Sequence, residues 1–324
     1  MNGNGSALEN LVAEKILITG ASGFLGSHLR RRLSEAGAQI DAVSRRARAS
    51  DDTGVRWWQA DMADFESTRS LLLQTKPDVI FHLSGLATAR PERELALPTL
   101  HSLLVSTVNV LTAAAEINCR RIILAASLTE PQAEYQEMTP GSPYAAAKWA
   151  SGAYARMFHK LYNVPVVMVR PFMTYGPGQD EGKLIPHVIL SLLNGQSPKL
   201  SSGRQAIDWV YVDDVVDGFL AATQAPEVEG HTIDLGSGEL VSIREVVASL
   251  IELSRAGMKP CFGALPDRPD EPARMADVDD AQQRLNWRPR VSLKEGLART
   301  VRWFQDQRHD RIADRQSGVA EKHD

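Results

Sequence analysis

The segment Thr19-Gly-Ala-Ser-Gly-Phe-Leu-Gly26 decides the fold, because it joins an apolar run at residues 15–19 to an amphipathic run at residues 24–36. The apolar run is typical of a buried strand and the amphipathic run of a helix. Three glycines, spaced three residues apart, permit a tight turn. They also let backbone N–H groups approach a phosphate and let the helix pack closely on the strand. The segment predicts a dinucleotide-binding turn, and the alternative is a tight turn that binds no ligand.

Outward from this segment, strand-like and helical runs alternate, which predicts right-handed crossovers and a parallel sheet covered on both faces. Beyond Pro171 the rhythm loosens into Gly- and Pro-rich loops, which favours a smaller, interleaved lobe. Strands are expected at residues 15–19, 39–44, 55–60, 78–83, 121–125 and 164–170, with a return to the sheet at 231–235. Helices are expected at residues 24–36, 63–74, 99–117, 144–161, 184–194, 212–223, 243–253 and 293–304.

The predicted fold class is therefore α/β, a doubly wound parallel Rossmann sheet with a smaller C-terminal substrate-binding lobe. Polar or charged ends without apolar periodicity predict flexible tails. The expected boundaries are a flexible tail at 1–13, a dinucleotide-binding domain at 14–171 with returning segments near 208–236, a substrate-binding lobe at 172–207 and 237–305, and a charged flexible tail at 306–324.

The composition excludes several classes of protein. The 324 residues are 43% hydrophobic and 23% charged, as in ordinary globular proteins. A net charge of −4 provides no basic field for nucleic acid or an anionic membrane. Cys119 and Cys261 lie far apart, which argues against a disulfide framework or a metal site. No signal-like start and no apolar run of about 20 residues is visible, so we expect a cytoplasmic protein without membrane or nucleic-acid partners.

The end of the second predicted strand bears on the choice of cofactor. In dinucleotide folds an acid there holds the ribose 2′-hydroxyl, whereas arginine accommodates a 2′-phosphate. This sequence has Arg45 and Arg46 at the strand's end, and Asp41 lies too early to serve. A guanidinium can bind two phosphate oxygens at once, so NADP(H) is favoured over NAD(H). A solvated basic loop is the alternative, because Arg48 continues the run.

A Tyr-x-x-x-Lys pair supplies candidate acid–base chemistry. Tyr144 and Lys148 are four residues apart in a helical stretch, which places both side chains on one helix face. A nearby ammonium group and the positive nicotinamide ring favour the phenolate of a tyrosine, so the pair predicts proton exchange with a hydroxyl or carbonyl group. Ser127 follows a predicted strand between the glycine turn and this pair.

Together, the glycine turn, Ser127 and the Tyr144/Lys148 pair resemble the extended short-chain dehydrogenases/reductases, in the branch of nucleotide-sugar epimerases, dehydratases and reductases, over about residues 15–305. The resemblance implies that Ser127 polarises the reacting sugar oxygen and that Lys148 also holds the ribose. It further implies a homodimer formed through the helices at 99–117 and 144–161. The expected cofactor contacts are Gly20, Ser22, Gly23, Phe24, Leu25, Gly26, Arg45, Arg46, Asp61, Met62, Leu83, Ser84, Tyr144, Lys148 and Pro171.

Some positions depart from the family pattern. Leu128 and Thr129 stand where 4,6-dehydratases carry acids, which disfavours dehydration, and Ser127-Leu-Thr129 is similar to the Ser-x-Thr of the epimerases. Met173 and Ile207 replace an Asn and an Arg that contact the substrate diphosphate in the family. Arg204, Arg268 and Arg274 could replace that charge. The expected substrate contacts are these three arginines together with Thr129 and Met173.

The leading functional hypothesis is an NADPH-dependent ketoreductase acting on a nucleotide-activated 4-keto-6-deoxy sugar, with Tyr144 as the acid–base group. A nucleotide-sugar 4-epimerase would use the same Ser127, Tyr144 and Lys148, so these residues do not separate the two reactions. A non-catalytic cofactor-binding regulatory protein is a third hypothesis, and the intact Ser-Tyr-Lys set argues against it.

Overall fold

A computed structural model describes residues 8, 10–49, 54–88, 90–131, 139–267 and 273–320, with side chains up to residue 309. Its contacts divide the chain into two compact units. The first unit comprises Met1–Phe172, Asp213–Gly236 and Ala276–Arg288, and the second comprises Met173–Val212, Ser237–Met275 and Pro289–Asp324.

The elements follow the predicted alternation through the first half of the chain. The strands are β1 Ile16–Thr19, β2 Ile40–Ser44, β3 Val55–Gln59, β4 Val79–His82, β5 Arg121–Ala125, β6 Val166–Pro171, β7 Met173–Tyr175, β8 Lys199–Leu200, β9 Ala206–Tyr211, β10 Thr232–Leu235, β11 Leu240–Ser242 and β12 Cys261–Phe262. The helices are α1 Phe24–Glu35, α2 Phe65–Thr75, α3 Ala96–Thr99, α4 Ser106–Ala114, α5 Pro143–Tyr162, α6 Leu184–Leu193, α7 Val212–Gln224, α8 Ile243–Ser254, α9 Val278–Leu285 and α10 Leu293–Ala320.

The first unit is built on a seven-stranded parallel sheet in the order β10-β6-β5-β4-β1-β2-β3. Every residue of β1, β4 and β5 is buried. Such continuous burial requires cover on both faces of the sheet, and it explains why these strands are mostly apolar instead of alternating. The predicted doubly wound α/β fold is confirmed. In a parallel sheet all the carboxyl ends lie along one edge, where α/β proteins bind their ligands.

The helical segment of residues 93–114 is more complex than the single helix predicted at 99–117. A π-helical turn, Leu100–Val105, joins α3 to α4. This 22-residue segment contains an 18-residue window with a mean hydropathy of 1.4, so it has the length and composition of a membrane-spanning helix, although the sequence analysis found no such run. Buried core helices of globular proteins share these properties, and here Val110 and Leu111 belong to the core beside Leu72 of α2 and Phe158 of α5.

The second unit contains a three-stranded sheet in the order β11-β9-β7 and a small pair, β12-β8. Helices α6, α8 and α10 pack together around it. Tyr175 ends β7, and its hydroxyl donates a hydrogen bond to the Leu293 carbonyl oxygen over 3.2 Å. Four of these strands have only two or three residues, which explains why the sequence analysis did not recognise them.

The observed units differ from the expected boundaries at several points. The sequence placed β9 among the segments returning to the first domain, but β9 belongs to the second unit. The sequence assigned α9 and Trp287 to the substrate lobe, but both belong to the first unit. Trp287 donates a hydrogen bond from its indole Nε1 to the Asp214 carbonyl oxygen over 2.9 Å. Within the expected N-terminal tail, Leu11 is fully buried. The last helix, α10, continues through most of the stretch expected to be a charged tail.

Candidate active site

The turn after β1 is shaped by contacts that only glycine allows. Gly20 has a φ of +71°, and a Cβ atom there would lie 2.8 Å from backbone atoms of Leu83 and Ser84. A Cβ atom at Gly26 would collide with the Gly20 carbonyl oxygen. Gly23 caps α1 without a side-chain hydrogen bond, so the first N–H groups of the helix face a side-chain-free cradle. This geometry fits a pyrophosphate.

The other predicted cofactor residues lie at the same edge of the sheet. Ser22, Phe24 and Leu25 complete the turn and open α1, and Pro171 ends β6. Exposed Asp61 follows β3 and accepts a hydrogen bond from the Ala63 N–H over 3.0 Å. The remaining three are Met62, buried in the core beside α2, and Leu83 and Ser84, half-buried after β4.

The two arginines predicted to meet a 2′-phosphate directly follow β2. Arg45 and Arg46 are exposed, and among the described residues no acid pairs with either guanidinium group. The nearest acid on the strand, Asp41, is engaged by Arg56 over 2.7 Å. Arg48 differs from both, because its guanidinium carbon lies 5.2 Å from the centre of the Trp57 ring. The run is thus divided, with Arg48 stacked on an aromatic ring and the two arginines before it facing solvent.

Helix α5 fixes the positions of Tyr144 and Lys148. Its N-cap is Ser142, whose hydroxyl oxygen accepts the Ala145 N–H over 3.2 Å, and Pro143 occupies the first turn. Lys148 is buried one turn further on, and its Nζ donates a hydrogen bond to the Ala125 carbonyl oxygen at the end of β5 over 2.5 Å. The helix start and this hydrogen bond together hold the pair against the carboxyl end of the sheet.

The predicted hydroxyl residues meet this pair. The Ser127 and Thr129 hydroxyl oxygens are 3.0 Å apart, and the Thr129 N–H donates to Ser127 Oγ over 3.3 Å. The Ser127 side chain also lies close enough to the Tyr144 hydroxyl to lower its pKa. The structure therefore brings together Ser127, Thr129, Tyr144 and Lys148, which the sequence places up to 21 residues apart. Three hydroxyl groups converge where a carbonyl or hydroxyl oxygen could be bound and protonated.

The protonation of the pair differs from the sequence expectation. Burial raises the pKa of Tyr144, the charge of Glu130 raises it further, and the hydrogen bond to Ser127 only partly opposes the rise. Burial lowers the pKa of Lys148 to about 8, against the stabilising charge of Glu130. Burial thus acts on Tyr144 in the direction opposite to the expected effect of the ammonium group and the nicotinamide ring. The tyrosine is held as a proton donor.

A buried histidine lies next to this site and was missed by the sequence analysis. His82 ends β4, and its Nδ1 is 2.8 Å from Thr19 Oγ1, while its Nε2 has no hydrogen-bond partner among the described residues. Thr19 Oγ1 also lies 3.2 Å from Ser84 Oγ, and when it donates to that oxygen it can accept from His82 Nδ1. Burial and the charge of Lys148 lower the pKa of His82 to about 3. The imidazole is therefore neutral at physiological pH.

The sequence analysis did not single out Glu130, which lies beneath the turn that carries Ser127. It is 3% exposed, and its Oε1 accepts the Ser127 N–H over 2.6 Å. The Ser-x-x-Glu spacing could have revealed this contact, since a Glu three residues after a Ser often reaches back to that backbone N–H. A buried carboxylate therefore supports the turn that carries two of the predicted site residues.

The predicted substrate residues other than Thr129 belong to the second unit or lie outside the described residues. Met173 is half-buried at the start of β7, Arg204 is exposed beside Ser202, and Arg274 is half-buried. Arg268 lies outside the described residues. Their contacts with a substrate stay predictions.

Comparison with known proteins gives the family. The model of the NAD dependent epimerase/dehydratase family matches residues 16–236, from β1 to the end of the first unit's returning segment. The chain belongs to this family. Residues 16–236 include the glycine turn and all of Ser127, Tyr144 and Lys148, so the predicted resemblance to extended short-chain dehydrogenases/reductases is confirmed.

The similarity to relatives and solved structures of the family extends over nearly the whole chain. UDP-glucose 4-epimerase of Mycolicibacterium smegmatis is 33% identical over 322 residues, which cover 90% of this chain and 99% of the relative. The crystal structure of UDP-glucose 4-epimerase with UDP-glucose from Thermotoga maritima shares the fold, with a TM-score of 0.82, 23% identity, and coverage of 90% and 99%. MoeE5 in complex with UDP-glucuronic acid and NAD has a TM-score of 0.80 and 29% identity at the same coverage. This member of the epimerase/dehydratase family is an enzyme of the nucleotide-sugar branch.

Proposed function

We propose that this family member is an NADPH-dependent ketoreductase that reduces the keto group of a nucleotide-activated 4-keto-6-deoxy sugar. The observation that carries the proposal is the pair of exposed arginines after β2, Arg45 and Arg46, which have no acidic partner among the described residues. An enzyme that selects NAD places an acid at this strand end to hold the 2′-hydroxyl. A net reduction is well served by NADPH, whereas an epimerase regains its hydride in every cycle.

The cradle after β1 fits a nicotinamide dinucleotide. The positive φ of Gly20 and the close packing of Gly26 leave no room for side chains, so backbone N–H groups at the start of α1 can approach the pyrophosphate. Arg45 and Arg46 would hold the 2′-phosphate, and Lys148 the ribose of the nicotinamide half. When bound, the reduced nicotinamide supplies hydride to the substrate carbonyl carbon.

The chain's own side chains handle the proton. Tyr144 donates its hydroxyl proton to the substrate carbonyl oxygen, which becomes the new hydroxyl group of the sugar. Ser127 and Thr129, with their hydroxyl oxygens 3.0 Å apart, orient that oxygen and stabilise its developing negative charge. Burial keeps Tyr144 protonated before the reaction because it raises the pKa of the hydroxyl group. The geometry thus favours proton donation, which is the direction that a reduction needs.

A nucleotide-sugar 4-epimerase is the second candidate. It is supported by the 33% identity to UDP-glucose 4-epimerase of M. smegmatis and by the Ser127–Thr129 pair, which is similar to the Ser-x-Thr of the epimerases. In that reaction Tyr144 would first accept a proton from the C4 hydroxyl and later return it. Ser127, Tyr144 and Lys148 serve both reactions, so only the fate of the hydride separates them.

The experiment that separates the two reactions follows the absorbance of NADPH after addition of a nucleotide 4-keto-6-deoxyhexose. A ketoreductase consumes NADPH in proportion to the sugar reduced. Interconversion of two 4-hydroxy nucleotide sugars without loss of NADPH would establish the epimerase instead. The Tyr144→Phe variant is the control, because it removes the proton donor while leaving the glycine cradle intact.

We also propose that the protein is a homodimer. Helices α3 and α5 expose large apolar side chains, with Leu97, Trp149 and Leu161 exposed by 65%, 44% and 62%. Exposed apolar side chains of this size on neighbouring helices are typical of a surface that binds another protein. Sedimentation should give a dimer mass, and Trp149→Glu should shift the distribution toward monomer. A monomer mass for the unsubstituted chain at micromolar concentration would contradict the proposal.

A further inference from the structure

Glu130 binds the backbone of the turn that carries Ser127 and Thr129 twice, once through its own N–H group and once through its carboxylate. The Glu130 N–H donates to the Ser127 carbonyl oxygen over 3.1 Å, and Glu130 Oε1 accepts the Ser127 N–H over 2.6 Å. The Ser127 side chain is thereby left to contact Thr129 and Tyr144. Because the carboxylate binds the backbone of the turn, it determines where both predicted hydroxyl groups point.

Positive groups from two other elements surround this buried carboxylate. Arg170 of β6 approaches Glu130 Oε2 to 4.0 Å and donates a 3.0 Å hydrogen bond to Asp234 of β10. From α5, Lys148 and Arg156 also act on Glu130. Burial raises the pKa of Glu130, and these cations together with the Ser127 N–H oppose the rise. A carboxylate this deeply buried is tolerated only where such partners compensate for its lost hydration.

We propose that Glu130 is a positioning residue: its carboxylate fixes the turn that bears Ser127 and Thr129, and its negative charge acts on the Tyr144 hydroxyl and the Lys148 ammonium group. The charge favours the neutral hydroxyl of Tyr144 and the cationic form of Lys148. Both effects favour the protonated forms, with one proton on the Tyr144 hydroxyl and one on the Lys148 ammonium group. The proposal rests on the proposed function only in taking Tyr144 as the acid–base group.

The charge of Glu130 opposes the effect of burial on Lys148 and adds to the effect of burial on Tyr144. Desolvation favours the neutral form of Lys148, and Glu130 favours the cation. His82, facing from β4, is neutral and adds no charge at physiological pH. For Tyr144, desolvation and Glu130 act in the same direction, and only the hydrogen bond from Ser127 opposes them. Removing the charge should therefore lower the pKa of both groups.

The test measures the pKa of Tyr144 directly, in the full chain labelled with tyrosine carrying ¹³C at Cζ. Tyr144→Phe assigns the resonance. Glu130→Gln keeps an oxygen that can accept the Ser127 N–H but removes the charge, so we expect the pKa of Tyr144 to fall by about one pH unit. The matched control is Asp208→Asn, another buried carboxylate that accepts backbone N–H groups, at Ser237 and Gly238 of the second unit. It should leave the Tyr144 resonance and its titration unchanged.

An unchanged pKa of Tyr144 in folded Glu130→Gln would overturn the proposal. If this variant does not fold, the unsubstituted protein provides the test. Its Tyr144 resonance should show a second, smaller step where Glu130 takes up a proton, and the lack of that step would overturn the proposal. Near-normal turnover by Tyr144→Phe would instead refute the proposed function, and it would leave the coupling between Glu130 and Tyr144 standing.

Discussion

The turns after β1 and after β5 end strands of the same sheet and face the same edge, yet they are held in place by different means. The turn after β1 depends on the absence of side chains, at Gly20 and Gly26. The turn after β5 depends on one buried side chain, Glu130, and on the cations of β6 and α5 that compensate for its burial. Backbone sterics build the first turn, whereas long-range electrostatics build the second.

This difference separates what a local sequence pattern encodes from what the fold must assemble. The three glycines of the first turn lie within eight consecutive residues, so the sequence shows the turn directly, although Gly20 also packs against the backbone of Leu83 and Ser84. The turn at Ser127 has Lys148 and Arg170 beside it, which the packing of α5 on β5 and the pairing of β6 with β5 bring there. Damage to the first turn should therefore affect stability, and damage near the second should affect chemistry.

The largest expected effect is on the glycine turn. Gly26→Ala should lower the free energy of unfolding by about 3 kcal/mol, because the new Cβ atom collides with the rigid Gly20 carbonyl group. Urea denaturation measures this change. Gly141→Ala is the control, since a Cβ atom there meets nothing within 4 Å. Equal stability of both variants would remove the steric account of this turn.

At the second turn, Tyr144→Phe should reduce turnover by about 10²-fold, or about 2.7 kcal/mol, while the fold and cofactor affinity are retained. Only the proton donor is lost in this variant, because the ring still fills its space. Tyr154→Phe, on the exposed face of the same helix, should keep normal turnover. If both variants turned over normally, Tyr144 would have no part in the chemistry.

A third prediction concerns His82, which ends β4, the strand between β1 and β5 in the sheet. This residue therefore lies between the two turns that are compared. Its pKa of about 3 in the folded chain is below the unfolded value of 6.5, so between these values only the unfolded chain binds the proton. Stability from this residue is therefore present above pH 6.5 and is lost as the pH falls through that window, by about 2 kcal/mol at pH 5.

Substitution of His82 should accordingly flatten the pH dependence of unfolding. From pH 7 to pH 5, the free energy of unfolding of His82→Gln should fall by about 2 kcal/mol less than that of the unsubstituted chain. His187→Gln, at an exposed position of α6, should follow the unsubstituted chain. Parallel pH curves for all three proteins would show that His82 is protonated as easily in the folded chain as in the unfolded one.

The smallest expected effect concerns the arginines after β2. Arg45→Ala should reduce the preference for NADPH over NADH by about tenfold, or about 1.4 kcal/mol, through loss of a charge-assisted bond to phosphate. Dissociation constants for both cofactors measure the preference. Arg48→Ala should preserve it, because that guanidinium group lies over the Trp57 ring. Equal affinities of the unsubstituted protein for NADPH and NADH would contradict the proposed cofactor.

The sequence predicted the first unit well because its periodicity is regular. Strand β5 was predicted to the residue, and α1 and α5 to within one residue at each end. The second unit was predicted poorly, because β8 and β12 have two residues each and carry no readable alternation. Helix α9 was missed because its mostly polar sequence contributes only Ala281 and Leu285 to the buried core.

By itself, the sequence determined the parallel α/β sheet, the glycine turn, the family, and the three residues Ser127, Tyr144 and Lys148. All of these follow from local spacing and strand or helix periodicity. Only the tertiary structure decided which hydroxyl groups meet Tyr144, why its pKa is raised, and that Glu130 lies beneath the site. Burial and compensating charge depend on residues that are distant in the chain, and desolvation acts only when the fold has excluded water from them.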